Sequence, residues 1–109
     1  MRVTLHKQFR RDFKELSKKH TSLAKDVAQL IDALTLDPIQ GESLGKNRYK
    51  VRLKITSKGK GKSGGGRVVT CVEIQEDEVC LLTMYDKSDI ENVNDAFLDD
   101  LVKTMHDNN

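Results

Sequence analysis

Apolar positions change their spacing several times along the 109 residues, and each change marks an element. Residues 1–5 suit a short strand. Phe9, Phe13 and Leu16 then recur at helical spacing among Lys7, Arg10, Arg11, Lys14, Lys18 and Lys19, which predicts an amphipathic helix with a basic outer face. Thr21 or Ser22 can cap a second helix, in which Leu23, Val27, Leu30, Ile31 and Leu34 share one side. It should stop near Leu36, because Pro38 disfavours helical geometry at Asp37. Residues 39–48 read as irregular, with Gly41 and Gly45 as turn points. From 49 to 55 the period falls to two, Val51, Leu53 and Ile55 alternating with Lys50, Arg52 and Lys54. Residues 67–74 and 79–85 are β-branched and apolar, and the acidic stretch between them makes them a hairpin. Ser88-Asp89-Ile90-Glu91 has capping-box spacing, and Asn94 can cap a last helix striped by Phe97, Leu98, Leu101, Val102 and Met105.

The order β-α-α-β-β-β-α describes one α+β domain: an N-terminal strand and helical hairpin over 1–36, a three-stranded antiparallel meander over 49–85, and a C-terminal helix over 94–105. All the helices are expected on the apolar face that carries Val51, Leu53 and Ile55. If the loop of the later hairpin is centred on Glu76, Arg67 stands opposite Tyr85 on the open face. Val68, Thr70, Val72, Ile74, Cys80, Leu82 and Met84 then take the other face.

Charge changes the picture more than composition does. The formal net charge is only +2, yet residues 43–72 hold nine cations and no acid, while residues 73–109 hold eleven acids and two cations. A basic centre beside an acidic end is the asymmetry of a surface that meets a polyanion. Lys50, Arg52 and Lys54 on one strand face, Arg67 and Lys87 nearby, and a glycine-rich loop with Lys58, Lys60 and Lys62 suit a phosphate backbone, and Tyr85 suits stacking on an unpaired base. The acidic end is expected to fold against the basic face or to help guide a partner.

Several chemistries are disfavoured. Gly61-Lys62-Ser63 imitates the end of a P-loop, but the motif's first glycine would fall at Thr56 and a strand follows where a helix is required. His6, His20 and His106 are dispersed and read as surface residues, leaving no histidine pair for acid and base work. Cys71 and Cys80 read as reduced, buried thiols, and no metal-ligand spacing links them to a histidine. No signal peptide or membrane-length apolar run is evident, so a soluble, cytoplasmic protein without membrane partner or cofactor is expected.

Residues 49–53, the Lys-Gly loop from Ser57 to Val69, and Leu81-Leu82-Thr83-Met84-Tyr85-Asp86-Lys87-Ser88 together resemble the RelE/HigB branch of the RelE/ParE toxin superfamily of bacterial type II toxin–antitoxin systems. The resemblance covers nearly the whole chain. It implies a RelE-like α+β toxin that enters the ribosomal decoding site and cleaves messenger RNA without a metal, by attack of a ribose 2′-hydroxyl on the adjacent phosphate, and that a cognate antitoxin neutralises. By position, Arg52 and Lys54 match the family's basic residues on the first meander strand, Arg67 matches the arginine opening the next, and Tyr85 and Lys87 fall in the segment that ends the last, so the resemblance implies these five as the catalytic residues. The RelE-type pattern has an arginine after the position of Lys87 and a tyrosine near Asn94; this chain has Ser88 and Asn94 there, so the acid and base assignments stay open. The resemblance also leaves a ParE-like gyrase poison as an alternative. A non-catalytic nucleic-acid-binding module is the rival from another class.

Overall fold

The hairpin read from residues 67–85 is the middle of the sheet. In the computed structural model, which describes residues 1–58, 65–90 and 92–107, β4 (Gly66–Glu73) and β5 (Glu78–Asp86) pair antiparallel within a five-stranded sheet ordered β1-β5-β4-β3-β2. β3 (Arg48–Leu53) runs antiparallel to β4, and β1 (Arg2–Leu5) lies parallel to β5. The sheet is therefore mixed and wider than a three-stranded meander. Its extra edge strand, β2 (Glu42–Gly45), occupies the segment expected to be irregular. Four residues are too few to display a period. Its turn to β3 uses Lys46 and Asn47, both at positive φ, instead of the glycine that usually announces so tight a hairpin. Gly41, at φ 86°, is a turn point as expected, whereas Gly45, at φ 83°, is the last residue of β2, paired with Arg48 at a register shift.

α1 (Lys7–Ser17) and α2 (Leu23–Leu36) form the expected helical hairpin on one face. Phe9, Leu16, Leu23, Leu30 and Leu34 pack there against Val51, Leu53, Ile55, Val68, Val72 and Leu81. α3 (Asp95–Lys103) lies on the opposite face, where Leu98, Leu101 and Met105 meet Val69, Cys71, Cys80, Leu82 and Tyr85. That corrects the expectation of helices on a single face. Every residue of β5 and all but the last of β4 are buried, so both faces of the hairpin need cover and one layer of helices cannot supply it.

A β-bulge explains a second correction. Near the turn the register is Glu73↔Glu78, Val72↔Val79, Cys71↔Cys80 and Thr70↔Leu81; beyond it, Val69↔Thr83, Val68↔Met84 and Arg67↔Tyr85. Leu82 is the additional residue, and it inverts the alternation of β5. The Arg67–Tyr85 pairing holds as expected, whereas Cys80 and Leu82 face α3, and Val79 and Leu81 take their places on the α1–α2 side. Asp12 of α1 secures the segment just past the bulge, accepting from Thr83 Oγ1 at 2.5 Å and the Met84 amide at 3.1 Å.

Polar tethers fix the remaining connections. Asp26, almost fully buried, accepts from Ser22 Oγ (2.7 Å), Thr56 N (3.0 Å) and Thr56 Oγ1 (2.7 Å), which ties the first turn of α2 to the 3-10 turn Thr56–Lys58. Ser22 thus occupies the expected cap position but spends its hydroxyl on Asp26. Asn94 caps α3 as expected, accepting from Phe97 N at 2.8 Å. Among the described residues no helix is long and apolar enough to cross a membrane.

His6 is not a surface residue. It caps α1, its Nδ1 accepting from Gln8 N at 2.9 Å, so Nε2 carries the proton and donates to Leu101 O at 2.9 Å. Burial lowers its pKa from 6.5, the Leu101 carbonyl opposing only in part. Below pH 6.5 the unfolded chain therefore takes up this proton before the folded one does. The stability conferred by the neutral ring is then lost as pH falls from 6.5 through the folded value. In a histidine-resolved NMR titration, the His6 ring should titrate below pH 6.5.

Candidate nucleic-acid interface

The bulge and the two-period of β3 together set a row across three strands. Arg52 on β3 pairs with Arg67 on β4, which pairs with Tyr85 on β5. α3 covers the part of this face that carries Cys71, Cys80 and Leu82 and leaves the Arg52 end to an open groove of about 740 Å³. Lys50, Arg52, Arg67 and Lys87 line it, so four of the cations singled out in the sequence converge. Gln40, Gly41, Glu42 and Asn92 complete its wall. Gly41 is required there: a Cβ on it would stand 2.3 Å from Lys50 O, so the chain entering β2 lies on the β3 backbone only without a side chain.

The cations differ in how they are held. Arg67 is 5% exposed and donates from Nη1 to its neighbour's carbonyl, Gly66 O, at 2.9 Å. Lys50 reaches across the groove to Asn92 Oδ1 at 2.9 Å and lies 3.6 Å from Glu42 Oε1. Arg52 is exposed on the strand, and Lys87 is exposed just beyond β5. Among the described residues, Arg52, Arg67 and Lys87 make no ion pair. Cations gathered without neutralising partners hold a positive potential that attracts phosphate.

Tyr85 differs from its expected use. Its ring is 5% exposed and packs in the cluster of Val69, Leu82 and Leu98, leaving no face on which a base could stack. Its hydroxyl is enclosed and has no hydrogen-bond partner among the described residues. Burial raises the phenol pKa above 10, Arg67 opposing and Glu42 adding to the rise, so the proton stays on at neutral pH.

The other sequence candidates lie elsewhere. Lys54 is exposed one residue past the end of β3 and does not line the groove. Lys58 turns to the opposite side of the strand end, its Nζ 3.0 and 3.2 Å from the two oxygens of Asp86. Lys60 and Lys62 lie outside the described residues. At the far end of β3, Arg48 is buried with Nη1 2.6 Å from Asp99 of α3, and Lys46 lies 3.7 Å from the same oxygen. The Arg48 hydrogen bond, outweighing desolvation, lowers the pKa of Asp99. The acidic end thus folds against part of the basic strand, as one of its two expected roles required.

Sequence reasoning missed the wall formed by Gln40, Glu42 and Asn92 because β2 was not recognised. Asp86, at the end of β5, is 5% exposed and accepts from Ser88 N (2.9 Å), Ser88 Oγ (2.8 Å) and Lys58, with His20 Nε2 at 3.1 Å. An Asp two residues before a Ser at a strand end is a local turn pattern. Ser88 serves that turn rather than a helix cap, and Glu91 of the expected capping box lies outside the described residues.

No protein-family model and no curated protein matches the sequence. Among solved structures the chain is similar to the E. coli toxin RelE, in a double arginine-to-alanine mutant in the free state, with a TM-score of 0.60 and 18% identity over 95% of this chain and 96% of that one. The fold is RelE-like.

Burial would raise the pKa of Asp86, but the Ser88 amide and hydroxyl and then Lys58 outweigh it and hold the carboxyl well below its ordinary 3.8. A depressed pKa contributes stability that is complete above the unfolded value and is lost as pH falls through the folded one. Asp86→Asn should therefore cost about 2 kcal/mol at pH 7. The gap from wild type in urea unfolding should shrink as pH drops below about 4.

Proposed function

We propose that this chain is the toxin of a type II toxin–antitoxin pair and a ribosome-dependent messenger RNA endonuclease, neutralised by a cognate antitoxin protein. The observation that carries this is the convergence of Lys50, Arg52, Arg67 and Lys87 on one groove of a RelE-like sheet. In the proposed reaction the ribose 2′-hydroxyl attacks the adjacent phosphorus and the bond to the 5′ oxygen breaks. A 2′,3′-cyclic phosphate and a 5′-hydroxyl result.

Each residue has a part suited to its placement. Arg52 and Arg67 stabilise the charge that develops on the phosphorane, the role for which planar, permanently charged guanidinium groups are best fitted. Lys50 and Lys54 contact backbone phosphates, with Lys60 and Lys62 as further contacts, while Lys58 is held by Asp86 away from the groove. Lys87, exposed at the groove, takes the proton-transfer role. Tyr85 retains its proton, so it enters as the packing against which Arg67 is set rather than as a base. Positioning by the ribosome supplies the orientation that so open a groove lacks.

In a purified translation system with a defined message, Arg52→Ala should reduce cleavage by about 100-fold or more without lowering the melting temperature, since Arg52 is exposed and stands opposite a like charge. Arg67→Ala should abolish growth arrest on induction. If either variant matches wild type, or if no translated message is cleaved, the assignment fails. Loss of gyrase supercoiling with translation intact would transfer it to the ParE-like alternative. RNA binding should weaken with salt, and Lys87→Ala should flatten the log–log slope by about 0.7, the share of one phosphate contact on a single strand. An unchanged slope would remove Lys87 from the interface.

A further inference from the structure

At the other end of β4 and β5, Glu73, Glu78 and His106 each bring one donor atom to within 4.8 Å of the others. They come from the end of β4, the position directly opposite it on β5, and the segment after α3. Two carboxylates facing each other in a ladder repel, and Glu78 is 1% exposed, where an uncompensated charge is costly. His106 Nε2 stands between them, 2.9 Å from Glu78 Oε1 and 3.4 Å from Glu73 Oε1. Glu73 Oε1 is itself enclosed and accepts no hydrogen bond among the described residues, although it is aimed at the cluster.

We propose that Glu73, Glu78 and His106 form a binding site for a divalent transition-metal ion of the zinc class. A zinc ion bound tetrahedrally at its usual 2.0–2.2 Å requires donor atoms about 3.3–3.6 Å apart. Of the two separations at His106, 3.4 Å meets that spacing and 2.9 Å needs only a small outward shift. One imidazole with two carboxylates suits zinc or cobalt, whereas calcium and magnesium take oxygen ligands throughout. Thr4 Oγ1 donates to the other oxygen of Glu78 at 2.5 Å, the kind of outer hydrogen bond that orients a metal-binding carboxylate. A neighbouring cavity of about 600 Å³, reached by Glu78, His106 and Asp107, provides entry and room for a water ligand. Arg2, 3.5 Å from Glu78 Oε1 but with a side chain 64% exposed, has space to swing aside.

Glu78 and Tyr85 are seven positions apart on β5, about 23 Å along a strand. The ion therefore serves structure rather than the groove: it fastens the segment after α3 to the β4–β5 turn.

The test uses the tag-free full-length chain, titrated with Co²⁺ followed by visible absorption and with Zn²⁺ followed by calorimetry. One ion per chain is expected, with His106→Ala and Glu73→Gln each weakening affinity at least about tenfold and Asp89→Asn leaving it unchanged. Zn²⁺ should raise the melting temperature of wild type and not of His106→Ala. His106 is 61% exposed, so His106→Ala should keep the fold, and its melting temperature without metal verifies this. Absence of binding at millimolar Zn²⁺, or binding carried unchanged into His106→Ala, overturns the site whatever the activity of the groove.

Discussion

One additional residue in β5 determines which side of the sheet the other elements can use. Without Leu82 as a bulge, the alternation set at the Ile74–Asp77 turn would run unbroken to the strand end, and Tyr85 would point away from α3. With it, Val79 and Leu81 fill the α1–α2 core, Cys80 and Leu82 fill the α3 core, and Arg67 with Tyr85 still reaches the face that carries Arg52. A bulge leaves part of the ladder unpaired, which would be costly inside a sheet buried on both faces. Asp12 removes that cost by accepting from both Thr83 and Met84, so α1 both covers the sheet and holds the irregularity in place.

Placing Arg52 opposite Arg67 sets like charges side by side, an arrangement that disfavours the pairing. The fold tolerates it through the distribution of its acids. Asp99 neutralises Arg48 and Lys46 at one end of the basic segment, and Asp86 holds Lys58 at the other. Glu42 stands near Lys50 at the groove wall. What remains in the middle is a short positive field beside the low-dielectric body of α3 and Tyr85, a geometry that strengthens the attraction for an anion. Nine cations between residues 43 and 72 are thus not nine equivalent contacts. The acids select which ones present charge to the groove.

Much of this was legible in residue order because its cause is local. The periods of α1, α2 and α3, the cap at Asn94, the stop before Pro38 and the two faces of β3 depend on neighbours a few positions away, and they stand where the pattern placed them. Arg67 opposite Tyr85 was also accessible, since both lie on the far side of the bulge from the turn. The illegible parts depend on distant partners. β2 is four residues long and becomes a strand only by pairing with β3; α3 chooses its face because the other is already occupied. His6 reads as a surface residue until Leu101 arrives from 95 positions away, and Asp86 gains Lys58 from 28 positions away. The candidate groove shares this division. Its cations were readable from one strand and its neighbours, while Glu42 and Asn92 belong to it only through the sheet edge and the segment before α3.

Asp86 shows how the packed core and the cationic groove are joined. It sits between Tyr85, which packs under α3, and Lys87, which lines the groove, and its own side chain turns to the opposite side of the strand. There it gathers the α1–α2 link through His20 and the 3-10 turn after β3 through Lys58. The backbone follows suit, Lys87 N donating to Gly65 O at 3.2 Å. Consequently the strand end that carries Lys87 is fixed by contacts on the side away from the groove, and Asp86 does not cancel the charge that Lys87 brings to it. A cationic surface repels itself and cannot supply its own rigidity. Here the rigidity comes from a buried carboxylate one residue away, and alternation along the strand keeps the two apart.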